Sequence, residues 1–251
     1  MNYTLCADDY AYHQAVSDGI LALLKAQKLN ATSCMTNMPD WPRAAIKLKE
    51  IKEVQIGLHL NLTEGPALTP YFHPQTINQL ILKSHCRLLN KSHILAEITA
   101  QLNAFKKHLG RFPDFIDGHQ HVQQLPIVRD ALLSVYAEAF QDAACKPWIR
   151  VSSNGFWRSL WQSRRCFKIL VITLTGALTL KRRLNKRAIP YNTSFSGIYD
   201  FSLKPAYATQ FSQFLTEIKP AGLIMCHPGL SASDESDAIA RAREREYHYF
   251  A

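Results

Sequence analysis

The chain has 251 residues, 47% hydrophobic and 20% charged, which suits one large α/β domain or two small ones and leaves ample apolar material for a core. Its six cysteines are scattered with no CxxC pair, excluding a zinc ribbon or a disulfide framework and pointing to free thiols in a reducing cytosol. The net charge of +9 is local: residues 146–190 hold eleven Lys or Arg and no acid, and the rest of the chain has 18 basic residues against 20 acidic ones.

Residues 3–7 form a short apolar strand that runs straight into Asp8 and Asp9, with no basic or apolar leader before it, so no signal peptide is expected. Burying either carboxylate alone costs several kcal/mol, so partners must converge there from elsewhere. Acids that cap the next helix are the plain alternative. Residues 13–28 carry apolar positions at helical spacing; 31–38 read as a strand ending at Pro39, and 41–51 as a helix. Residues 54–62 alternate, with Val54, Ile56, Leu58, Leu60 and Leu62 set against Gln55, Gly57, His59 and Asn61. Gly65, Pro66, Pro70 and Pro74 make 63–78 a long loop. Further on, the pattern predicts a helix over 92–109 stopped by Gly110, a strand over 115–117 and a helix over 126–144. It then predicts a strand over 148–151, a helix over 205–218, a strand over 222–225 and a charged helix over 238–247.

Strands alternating with helices imply parallel βαβ units, in which ligands gather at the carboxyl ends of the strands. Asp8, Asp9, His59, residues 117–121 and His227 all fall at such ends. A histidine on the polar face of an alternating strand is ordinarily solvated, but a parallel strand is covered on both faces. In an extended segment Asp117, His119 and His121 project to one side, with Gly118 allowing close backbone approach; a polar turn is the alternative. Read alone, His227 is a structural histidine. Together these residues offer one carboxylate and two imidazoles for a divalent ion, a second carboxylate as general base and a distant histidine as general acid.

Four segments match a known pattern: Ala7-Asp8-Asp9-Tyr10, Gly57-Leu58-His59-Leu60-Asn61-Leu62-Thr63, Asp117-Gly118-His119-Gln120-His121-Val122 and Met225-Cys226-His227-Pro228-Gly229. They resemble the YdjC-like family of carbohydrate deacetylases, in the family's order. The resemblance implies a single deacetylase-like domain over 1–251, with 146–190 as a basic insert. Its fold would be a distorted (β/α) barrel of the polysaccharide-deacetylase kind. The implied activity is metal-dependent removal of the N-acetyl group from a chito-oligosaccharide or an amino-sugar glycolipid. Carried over by position, Asp9, His59 and His119 hold one magnesium or zinc ion, Asp8 is the base, His227 the acid, and Arg150 steadies the base. Asp117 and His121 stand behind the ligands. Family members commonly have a third histidine where Gln123 stands here, which removes any such role from position 123.

A metal-dependent phosphoesterase and a non-catalytic carbohydrate-binding barrel are the rival readings. A single-metal set that leaves Asp8 free as base favours amide hydrolysis, and a binding module would not need all five groups. Charge alone suggests nucleic acid, and no motif supports it. Trp41, Tyr71, Phe72, Trp148 and Trp157 are candidates either for stacking on sugars or for core packing. Within the acid-free stretch, residues 169–180 are apolar apart from three threonines, too short for a spanning helix of about 20 residues. Arg164, Arg165 and Lys168 precede them; Lys181, Arg182, Arg183, Lys186 and Arg187 follow. Either a barrel helix with solvated ends or a surface element on anionic lipid fits. The second would make 164–187 a peripheral contact of a cytoplasmic protein with the inner membrane surface. A monomer and a homodimer both remain open.

Overall fold

A computed structural model describes residues 2–143, 145–153, 176–230 and 237–251. The strands are β1 Thr4–Tyr10, β2 Ala31–Cys34, β3 Gln55–Leu60, β4 Phe115–Gly118, β5 Trp148–Ile149, β6 Phe195–Ser196 and β7 Leu223–Cys226. They form one sheet in the order β5-β4-β3-β2-β1-β7-β6, with every neighbouring pair parallel. Ile149 also pairs with Tyr191, and its N–H donates to Pro190 O at 2.9 Å. That bond brings the chain leading into β6 against β5 and curls the sheet into a distorted barrel. β2, β4 and β7 are buried throughout, and β3 exposes only Gln55, as parallel strands covered on both faces should be.

Among the described residues the helices are α1 Gln14–Lys25, α2 Trp41–Leu48, α3 Ile77–His85, α4 Lys91–Leu109, α5 Val128–Ala139, α6 Leu178–Lys186, α7 Tyr207–Glu217 and α8 Ala240–Phe250. α1 buries Val16, Ile20, Leu23 and Leu24; of the positions expected on its apolar stripe, Ile20, Leu23 and Leu24 face the core, Ala15 is half-buried and Ala26, past the last turn, is exposed. Gly19 lets it approach the loop after β7: a Cβ there would stand 2.8 Å from Leu230 N. α4 ends at Gly110 in the left-handed region (φ 75°), where glycine carries no side-chain penalty, and its first turn is capped by Asn90.

Two expectations change. The strand expected over 31–38 stops at Cys34, because residues 35–38 close a turn in which Met38 N donates to Met35 O. α3 has no counterpart among the expected elements; a capping box between Thr76 and Gln79 starts it, and its apolar stripe is short. Of the basic stretch, 154–175 lie outside the described residues, with Trp157, Arg164, Arg165, Lys168 and the first part of the apolar run. Its remainder enters α6, which buries Leu180 and Leu184 and exposes Leu178, Arg182 and Lys186. No helix among the described residues is long and apolar enough to cross a membrane.

Candidate active site

The carboxyl ends of β1, β3, β4, β5 and β7 carry Asp8 and Asp9, His59, Asp117, Arg150 and His227, each in the last turn of its strand or just beyond. Adjacent residues of a regular strand point to opposite faces, yet Asp8 and Asp9 line the same cavity. The cause is local. Asp9 has φ 66°, and the β1–β2 register shifts between Ala7 and Tyr10, a bulge-like break that re-aims the second carboxylate. Aspartate tolerates this conformation better than most side chains. The cavity holds about 430 Å³, the size of a small-ligand site, and His59, His119 and His227 also line it.

The two carboxylates have separate partners. Asp9 Oδ1 lies 2.8 Å from His119 Nδ1 and 3.2 Å from His59 Nε2, while Asp9 Oδ2 accepts from Arg243 Nη2 at 2.8 Å. Asp8 is gripped by Arg150, whose Nη1 and Nη2 donate to its two oxygens at 2.6 and 2.7 Å. Arg150 Nη2 also lies 2.6 Å from Asp117 Oδ2 and 3.2 Å from Cys6 Sγ. The guanidinium therefore fills the cluster of Cys6, Asp8 and Asp117 and leaves no place there for a second cation. The other cluster is different: ligand atoms of Asp9, His59 and His119 lie within 4.8 Å of one another, with both ring nitrogens turned to the same carboxylate oxygen. One carboxylate and two imidazoles form a donor set that fits a divalent ion.

His59 is oriented from behind. His59 and Asp117 are register partners across β3 and β4, and His59 Nδ1 lies 2.7 Å from Asp117 Oδ1, which also accepts from Ser33 Oγ. Bonding Nδ1 in this way aims Nε2 at Asp9.

Burial disfavours charge at this site, and close partners decide each outcome. Burial would raise Asp9, but His119 and Arg243 hold it well below the usual carboxylate range. Burial alone would lower His59; Asp117 and Asp8 beside it bring it up to about 10 instead. At His227 burial prevails over Asp9 and Asp8 and takes the ring down to about 4, so it is neutral at pH 7. Its Nδ1 is buried and makes no hydrogen bond among the described residues.

Asp117, His119 and His121 do not share one face of an extended segment. The strand ends at Gly118, and His119–Gln124 form a 3-10 turn in which Gln120 (φ 52°) and His121 (φ 62°) are left-handed. Asp117 consequently turns to His59 and Arg150, and His119 to Asp9. His121 lines the cavity with its ring edge-on to Phe195 at 5.7 Å. Gln123 supports Arg150, donating from Nε2 to its carbonyl at 3.2 Å. Among the aromatic candidates, Trp41 packs in the core on Phe105, Phe72 is buried, Trp148 stacks on Phe115, and Tyr71 is exposed. Among the described residues, the aromatic lining of the cavity is Tyr12, Tyr199 and Phe201. Ser33, Asp237, Arg243 and Glu246 have no counterpart in the sequence reading. No local signal pointed to Arg243 or Glu246: the buried face of α8 is Ala242, Arg243, Glu246 and Phe250, half of it charged.

The YdjC-like protein family model matches residues 3–251. A carbohydrate deacetylase of Danio rerio is 31% identical over 143 residues, 52% of this chain and 45% of that protein. A chitooligosaccharide deacetylase of Yersinia enterocolitica is 30% identical over 125 residues, 48% of this chain and 49% of that protein. The chain spans about half the length of the curated relatives it matches. A crystal structure from Enterococcus faecalis V583, solved as a candidate cellobiose-phosphate cleavage protein, superposes with a TM-score of 0.72 at 20% identity, covering 99% of this chain and 89% of that one. That likeness is one of fold. With the family model spanning almost all of its length, the chain belongs to the YdjC-like protein family.

Proposed function

We propose that this chain is a hydrolase that removes the N-acetyl group from an amino sugar, using one divalent cation held by Asp9, His59 and His119. The observation that carries the reading is the separation of roles between adjacent carboxylates. Asp9 is tied to two imidazoles, while Asp8, in the same cavity, is tied to a guanidinium and bonds neither ring. The deacetylase names of the relatives agree with it. Zinc and magnesium are both candidates, and the two nitrogen donors favour zinc. When bound, the cation would polarise the acetamide carbonyl and stabilise the developing oxyanion.

The chain's own residues do the rest. Asp8 takes the proton of the attacking water, and Arg150, bonded to both of its oxygens, holds it in place. His227 lines the same cavity and is protonated from solvent before the amine leaves. A ring nitrogen of His227 then passes that proton to the amine as the C–N bond breaks. Residues 1–251 act as one barrel domain with 146–190 as its insert. The test is acetate release from N-acetylglucosamine oligosaccharides and from N-acetylated glycolipids, with and without chelator. We expect release that chelator abolishes and zinc or magnesium restores; no acetate from either class sinks the reading.

The free thiols of Cys6, Cys34, Cys86, Cys145 and Cys226 support a cytoplasmic setting. Peripheral contact with anionic lipid is supported by α6. Arg183 pairs with Asp130 at 2.7 Å, while Arg182, Lys186 and Arg187 face solvent beside the half-exposed Leu178. Each basic residue at such a surface adds about 1 kcal/mol. The protein should sediment with anionic liposomes at low salt and be released at high salt. If it stays in the supernatant at low salt, soluble chito-oligosaccharides become the preferred substrates.

A further inference from the structure

We propose that Glu246 is a positioning residue for the reaction: its carboxylate anchors His227 through the backbone N–H, and two tyrosines hold that anchor in place. The inference rests on His227 acting as the acid described above. Glu246 lies on the inner face of α8 and is fully buried. Its Oε2 accepts the His227 backbone N–H at 2.6 Å. The hydroxyl of Tyr199 donates to Oε1, and that of Tyr207 donates to Oε2 at 3.3 Å. The Arg245 guanidinium lies over both tyrosine rings, 5.6 and 5.7 Å from their centroids, and braces them.

The geometry matters because of what it holds. His227 follows directly on β7, and Gly229 N, two residues later, donates to Arg243 O at 3.1 Å. The segment that carries the acid is therefore tied to α8 at two points, one of them a side-chain carboxyl. On its cavity side the His227 ring meets Phe201 edge-on at 5.1 Å. Tyr199, which bonds Glu246, also lines the cavity. One carboxylate thus ties the backbone of the acid to the wall a substrate touches. Burial pushes Glu246 up to about 7, against the donors around it, so this carboxyl is held where its charge is costly. Apolar packing could fill the same space. An acceptor for the His227 N–H could not come from a hydrocarbon side chain, and a misplaced acid slows turnover far more than it weakens binding.

Three measurements on the full chain test this: steady-state acetate release, zinc affinity by calorimetry, and the His227 amide resonance in substrate-free protein. Glu246→Leu should lower kcat about 10- to 100-fold, with KM and zinc affinity within about 3-fold of wild type. Glu246→Gln retains an oxygen for the amide and should recover most of the lost kcat. At pH 9, where Glu246 is ionised, the His227 amide proton should be shifted downfield in wild type and move upfield in Glu246→Gln, where the acceptor is neutral. Wild-type kcat in Glu246→Leu overturns the proposal. So does equal loss of kcat in both variants, because then charge matters and anchoring does not. If Glu246→Leu fails to fold, the Gln variant decides, and an unmoved His227 amide overturns the proposal. The amide shift needs no turnover, so a wild-type protein that releases no acetate would sink the deacetylase reading and leave this measurement standing.

Discussion

Replacing Asp8 by Asn should lower turnover by about 10²-fold or more while leaving zinc binding nearly intact, and replacing Asp9 by Asn should weaken zinc binding. The two residues are adjacent, both are buried and both are carboxylates, so composition cannot predict different outcomes. Partners can. The side-chain amide of the Asp8→Asn variant would still offer Arg150 one oxygen but would have no basic atom to take a proton from water. In the Asp9→Asn variant, either a neutral oxygen or an NH₂ group would face the point where His59 Nε2 and His119 Nδ1 converge. That amide would also be a weaker acceptor opposite Arg243. Calorimetric zinc titration alongside acetate-release kinetics checks the pair. Equal loss of zinc binding in both variants would show that the roles are not divided as the geometry divides them.

Arg150→Met should destabilise the protein by about 3–5 kcal/mol, because removing one member of a buried ion network leaves uncompensated charge. The guanidinium is fully buried and touches Asp8 and Asp117 together, and no other Lys or Arg bonds either carboxylate among the described residues. For a domain of this size that corresponds to a fall in Tm of about 10 °C. The pH dependence follows from Asp117. Burial would raise its pKa, but Arg150 and His59 hold it below the ordinary 3.8. A carboxyl depressed in the folded state contributes stability above its unfolded pKa and loses it as pH falls through the folded value. The Tm gap between wild type and Arg150→Met should therefore be widest at neutral pH and shrink as the pH falls below about 4. A gap of the same width at pH 3 and pH 7 would mean that packing, not charge, makes Arg150 necessary. Arg150→Lys restores the charge without the planar fork and should fall between the two.

Chain order was legible wherever local periodicity and burial agree. The alternation in 54–62, the stripe in α1 and the glycine stop of α4 are properties of neighbouring residues, and each element formed within a few residues of its expected bounds. Extrapolating period two past Gly118 failed for a local reason as well: Gln120 and His121 adopt positive φ, and the projection rule ends with the strand. α3 was missed because a stripe of Ile77, Leu80 and Ile81 is too short to stand out without its cap.

By itself the sequence determined that carboxylates and histidines would collect at the carboxyl ends of parallel strands. Apolar runs that end in polar groups admit few other placements once strands and helices alternate. The family resemblance had grouped Asp9 with His59 and His119 and paired Arg150 with Asp8; only the tertiary structure decided how they meet and which further partners join them. The left-handed backbone at Asp9 turns two neighbouring acids into one cavity and gives them different partners. Arg150 reaches Asp8 from 142 residues away, and Arg243 reaches Asp9 from 234. The inward face of α8 bears Arg243 and Glu246, so no hydrophobic stripe marks it as buried. A buried charge is stable only beside its partner, and when that partner is brought in by the path of the whole barrel, no local pattern records the pairing.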